Sequence, residues 1–138
     1  MKIHRRLVED MFAHAREAAP MECCGVIGGS ERSAHKVYRL RNRASNPLSA
    51  YDADPEDLFA AQKQMRAGGE TLVAIYHSHP RARVPLPSET DVRLAYYPAA
   101  IYFILGGVEN EQALGAFRLF ENGKRWEFAD YVIVETDD

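Results

Sequence analysis

The chain has 138 residues, 46% of them hydrophobic, which places it in the usual size range of one domain able to bury a core of its own. A formal net charge of -3 leaves no broad basic field to attract nucleic acid or an anionic membrane surface. The only cysteines, Cys23 and Cys24, are adjacent and offer no disulfide scaffold, and no apolar run is long enough to span a bilayer. These features predict a single soluble domain over residues 1–138 in a reducing cytoplasm, with neither nucleic acid nor membrane as partner.

In chain order, Ile3, Leu7, Val8, Met11, Phe12 and Ala15 recur at three- and four-residue steps and predict an amphipathic helix from Ile3 to Ala18, stopped near Pro20. The apolar run Cys23 to Gly29 and the alternating stretch Ala34 to Leu40 predict two strands able to pair as a hairpin. Asp54 as N-cap, Pro55 at the first helical position, Glu56 and Asp57 in the first turn, and Gly68-Gly69 as the stop mark a second helix. Thr71 to Tyr76 is nearly all apolar, so it predicts a central strand, and it runs straight into His77. After a proline-punctuated loop, Ser88 can cap a short helix to about Tyr96. Ala100 to Leu105, Ala113 to Phe120 and Arg125 to Val134 then read as strands. Helices interspersed with strands predict an α/β or α+β fold, a mixed sheet flanked by helices.

The chemistry concentrates at the end of the central strand. His77 and His79, two apart on extended backbone, point to the same side and can share one metal ion. Zinc takes imidazole nitrogen and carboxylate oxygen, and Asp91 can supply the carboxylate. Ser88 and Asp91 also read as a capping box, and the two readings compete, because an oxygen bound to a metal cannot also accept from the cap amide. Glu22 stands just before an apolar run, where a buried carboxylate is costly without a partner; a surface glutamate at a strand start is the plain alternative. A thiol hydrolase built from Cys23 or Cys24 with one of the two histidines is a rival, set against the apolar surroundings of both cysteines. The His-x-Glu and Cys-x-x-Cys signature of the zinc deaminases is missing. His4, His14 and His35 have no paired ligand at useful spacing and read as surface or helix-face residues.

Taken together, Met21-Glu22-Cys23-Cys24-Gly25-Val26-Ile27-Gly28-Gly29, Tyr76-His77-Ser78-His79-Pro80 and Pro87-Ser88-x-x-Asp91 resemble the JAMM (MPN-plus) zinc metalloprotease family, in its small stand-alone prokaryotic type. The resemblance implies a cytidine-deaminase-like three-layer arrangement of the mixed sheet. It implies Zn2+ held by His77, His79 and Asp91, with Glu22 as general acid/base and Ser88 steadying the developing oxyanion. It further implies hydrolysis, by a zinc-activated water, of the amide bond after the C-terminal Gly-Gly of a ubiquitin-like or sulfur-carrier protein, whose tail would be the substrate. That family also holds members without metal that serve in assemblies, so a catalytically silent scaffold is the alternative. Eight residues, Pro80 to Pro87, separate His79 from Ser88, one more than family members usually have, so the placement of Asp91 depends on how this loop is held.

Overall fold

Period-two alternation sorts the strand residues onto the two faces of one mixed sheet. A computed structural model describes residues 1–89, 91, 97, 99–120 and 125–135. The elements are β1 (Lys2–His4), α1 (Arg5–Ala18), β2 (Cys24–Ser30), β3 (Ser33–Leu40), α2 (Pro55–Ala67), β4 (Thr71–Ser78), β5 (Ile101–Gly106), β6 (Ala113–Phe120), β7 (Arg125–Phe128) and β8 (Val132–Val134). The eight strands lie in the order β7-β6-β5-β4-β2-β3-β1-β8. β4 sits centrally, antiparallel to β2 and parallel to β5, as its apolar sequence predicts.

The helices cover opposite faces. On one, Leu7, Met11 and Phe12 of α1 bury against Ile27, Ala74, Tyr76 and Phe103. On the other, Ala61 and Met65 of α2 bury against Val26, Ile75, Tyr102 and Ile104. Consecutive residues such as Val26 and Ile27, or Ile75 and Tyr76, therefore serve different cores, and the result is the three-layer α+β arrangement. Asp54 caps α2 as expected, its Oδ1 accepting from the amides of Glu56 at 2.8 Å and Asp57 at 3.2 Å.

Two expectations are corrected. The chain does not start in helix: Lys2–His4 form β1, which pairs in parallel with both β3 and β8, and α1 begins at Arg5. Three residues are too few to show alternation, and Ile3 fits both a strand and the helical stripe. His4 becomes the N-cap, its Nδ1 accepting from the Arg6 amide at 3.1 Å. His14 on α1 turns inward to meet the Tyr76 hydroxyl at 2.8 Å, and burial pushes its pKa down to about 4.

The second correction is that Arg125 to Val134 is not one strand. It breaks into β7 and β8, which are the two outer strands of the sheet. Eight strands laid flat would put those edges roughly 34 Å apart. The link from Phe128 to Val132 can reach only about 14 Å, so the sheet must curl. Tyr131 in that link holds the curl closed, its ring 5.7 Å from that of Phe103 and its hydroxyl donating to the Leu114 carbonyl at 3.2 Å. The short helix expected from Ser88 to about Tyr96 lies mostly outside the described residues, of which Glu89 and Asp91 are helical. No helix among the described residues is long and apolar enough to cross a membrane.

Candidate metal centre

The register of β2 on β4 assembles most of the site. Cys24 pairs with His77, and the Ser78 amide donates to the Cys23 carbonyl at 3.1 Å just beyond that pair. Continuing one step along the same antiparallel ladder sets Glu22 across from His79, on the face that carries His77. Glu22, His77 and His79 accordingly bring one ligand atom each within 4.8 Å of one another, and these residues could hold a metal ion.

Asp91 completes the cluster from the other side. His77 Nε2 and His79 Nε2 are 3.1 Å apart. Asp91 Oδ1 lies 3.1 Å from the first and Oδ2 lies 3.1 Å from the second. Ligand atoms at the 2.0–2.1 Å bond lengths of tetrahedral zinc would be about 3.3 Å apart. The four atoms, two imidazole nitrogens and both oxygens of one carboxylate, are spaced so that three residues could hold one small cation, and these contacts are shorter than the 4.8 Å span of the group that includes Glu22. His77 is wholly buried and Asp91 is 7% exposed, so the cluster is shielded from water.

Capping and convergence coexist at Asp91. Its Oδ2 accepts from the Ser88 amide at 2.8 Å, while the Ser88 Oγ accepts from the Asp91 amide at 3.1 Å, a reciprocal capping box. Oδ1 takes no part in the cap and faces His77. The competition expected between the two readings is thus relieved at Oδ1 alone, since Oδ2 both accepts the cap amide and lies 3.1 Å from His79 Nε2. Ser88 remains exposed and keeps its hydroxyl proton to donate elsewhere.

The longer loop before Ser88 does not displace Asp91. Pro85 is buried, and the loop lies against Gly106 and Gly115, where an added Cβ would come within 2.9 Å of the Ala82 and Pro85 carbonyl oxygens respectively. The Gly107 amide donates to Ala82 at 2.7 Å and ties the loop to the end of β5.

Charge in the cluster is arranged for chemistry. Burial raises the Glu22 pKa to about 7, with Asp91 adding to the rise and His79 opposing it. Burial would also raise Asp91, yet the charge of His77 and hydrogen bonds to both histidines hold it well below the usual carboxylate range. For His79, burial acts downward but is outweighed by the hydrogen bond to Asp91 and the charges of Asp91 and Glu22, so its pKa is raised. Among the described residues Glu22 Oε1 and His77 Nδ1 are buried without a hydrogen-bond partner, and an unpaired buried carboxylate oxygen marks a place where a further group belongs.

Both thiols are buried, and burial pushes Cys23 to about 11 and Cys24 to about 12, which disfavours the thiolate that a thiol hydrolase would need.

Sequence reasoning missed two supporting residues. The Tyr51 ring stacks on His77 with centroids 4.4 Å apart. Asn42 donates to the carbonyls of Glu22 and Ala50, both at 3.0 Å, and accepts from the amides of Ala44 at 3.0 Å and Asp52 at 2.9 Å. One side chain thereby ties the Tyr51 loop to the backbone of Glu22, and the Pro47 carbonyl accepts the Glu22 amide at 2.8 Å. Neither residue sits in a recognisable motif; only the Asn-x-Ala-Ser-Asn-Pro turn character of the segment signals a structured loop.

A strand-end pair of histidines, a capping carboxylate turned toward them and a buried glutamate alongside form a cluster that could hold a metal ion. Residues 4–120 match the family model described as prokaryotic homologs of the JAB domain. The chain is 35% identical over 102 residues to the desampylase of Haloferax volcanii, covering 70% of this chain and 73% of that protein. It is 37% identical over 104 residues to the CysO-cysteine peptidase of Mycobacterium tuberculosis, covering 75% and 70%. The solution structure of a protein from Desulfitobacterium hafniense superposes with a TM-score of 0.84 at 30% identity, covering 98% of this chain and 93% of that one. The chain belongs to the prokaryotic JAB family.

Proposed function

We propose that this chain is a zinc metallopeptidase that hydrolyses the amide bond following the C-terminal Gly-Gly of a ubiquitin-like or sulfur-carrier protein. The observation that carries the reading is the convergence of His77 Nε2, His79 Nε2 and the Asp91 carboxylate at 3.1 Å, with Glu22 beside them, its Oε1 buried and unpaired among the described residues. The names of its relatives, a desampylase and a CysO-cysteine peptidase, support the choice of substrate.

His77, His79 and Asp91 would hold the ion, since two neutral imidazoles and one carboxylate suit zinc and leave a fourth position open. When bound, zinc supplies Lewis acidity, which acidifies water and polarises the amide carbonyl. Glu22 takes a proton from the attacking water as its C–O bond to the carbonyl carbon forms. As the C–N bond breaks, Glu22 hands that proton to the leaving amine nitrogen. The Ser88 hydroxyl donates to the oxygen on which negative charge develops. The buried setting of Glu22 matches its task, because a base poised near 7 can both accept and return a proton at neutral pH.

The same reading treats residues 1–138 as one domain, since both cores share a single sheet. Its two free, buried thiols suit a cytoplasmic setting. The test is cleavage of a ubiquitin-like protein bearing a residue after Gly-Gly. Metal-replete protein is expected to release that residue, and a chelator or His77→Ala to stop it; cleavage that survives both would overturn the reading.

A further inference from the structure

The face of the sheet that presents His77 also forms the floor of a cavity of about 550 Å³, roofed by the loop that carries Tyr51. Its place relative to the metal centre follows from the strands. Ile75 and Cys24 both line it. His77 is directly opposite Cys24 and two residues beyond Ile75 on the same face, a step of about 7 Å along the strand. Tyr51 spans the boundary, lining the cavity and stacking on His77. The cavity and the cluster are thus neighbours on one face of the sheet, with Tyr51 touching both.

The lining states what chemistry it would accept. Val26, Leu40, Leu58 and Ile75 supply aliphatic walls, and among the described lining residues only Asp52 is charged, and it is exposed. The described walls offer no buried charge to pair with, so a charged side chain reaching them would enter at high cost. The volume lies within the range of ligand pockets and well exceeds the needs of glycine.

We propose that this cavity is a substrate subsite that receives one apolar side chain of the polypeptide, close in sequence to the bond being cut. This rests on the peptidase reading above. Glycines at the scissile position have no side chain to fill it, so its occupant comes from the residue preceding Gly-Gly or from the residue that leaves. Either source supplies the same chemistry, a leucine-like or aromatic group: the residue preceding Gly-Gly stands two extended residues, about 7 Å, from the bond that breaks, and the leaving residue would reach the cavity with its side chain.

Two peptide series separate the sources: acetyl-X-Gly-Gly-Ser-amide and acetyl-Ser-Gly-Gly-X-amide, with X as Gly, Leu, Phe, Lys or Asp. In one series kcat/KM for Leu or Phe is expected to exceed that for Gly, Lys and Asp by about tenfold or more, the discrimination an apolar pocket gives for one or two methylenes. Ala53→Leu and Ala50→Leu each narrow the cavity from the loop side, and each is expected to collapse that ratio while zinc content stays at the wild-type level. Two variants on separate positions guard against one that fails to fold. Cleavage without preference for X in either series overturns the subsite and leaves the peptidase reading standing, as does a preference that persists in both variants. Absence of cleavage from every peptide and from the ubiquitin-like protein overturns both.

Discussion

Glu22 shows how one residue can trade stability for function. A carboxyl whose pKa rises from 4.5 to about 7 on folding binds its proton more tightly in the folded state. Its contribution is therefore fully present below about 4.5 and is lost as pH climbs through 7. A rise of this size corresponds to about 3 kcal/mol of strain once the group is ionised in the metal-free protein. Glu22→Gln is expected to raise the melting temperature of the metal-free protein at pH 8 by more than at pH 5, and to abolish turnover. An equal effect at both pH values would show that the carboxylate is not burdened by burial. Ser88 forms the cap, and the oxyanion role proposed for it can be measured apart. Ser88→Ala removes the cap, which costs about 1 kcal/mol in denaturant unfolding. It is also expected to lower kcat by ~10²–10³ through the lost oxyanion donor; a fall in kcat no larger than the stability loss explains would reduce Ser88 to a cap.

At the scale of elements, the loop from Asn42 to Ala53 is the outer support of the site. It meets Glu22 through Asn42 and Pro47 and meets His77 through Tyr51. Asn42→Ala removes four hydrogen bonds at once and is expected to cost about 1–3 kcal/mol in unfolding. It is also expected to lower kcat, because the backbone of Glu22 loses an anchor. Unchanged kcat would confine the loop to a structural part. None of this support was legible in the sequence, since hydrogen bonds from a turn asparagine to residues as far as Glu22 have no local pattern. α2, by contrast, was legible to the residue, because Asp54, Pro55 and Gly68 act through neighbours in sequence. β1 was missed for the opposite reason, being defined by pairing with β3 and β8 and not by its own three residues.

For the molecule as a whole, the curl of the sheet determines where the chain ends meet, and no local signal forecasts it. The split of β7 from β8 is imposed by closure, with Tyr131 seated between Phe103 and Leu114. The site was readable because its parts sit at the mouth of one central strand pair, where His-x-His and the Glu22 parity are matters of register. What the sequence left open was whether Asp91 caps or converges on the histidines, and the structure shows it doing both: Oδ1 faces His77, while Oδ2 accepts the cap amide and also meets His79. Two carboxylates consequently stand near the histidines, and in the proposed function Asp91 holds the ion and Glu22 moves the proton. Elemental analysis of metal-replete variants tests that division most directly. Wild type and Glu22→Gln are expected to carry about one zinc per chain and Asp91→Ala very little; zinc lost from Glu22→Gln but retained by Asp91→Ala would contradict it.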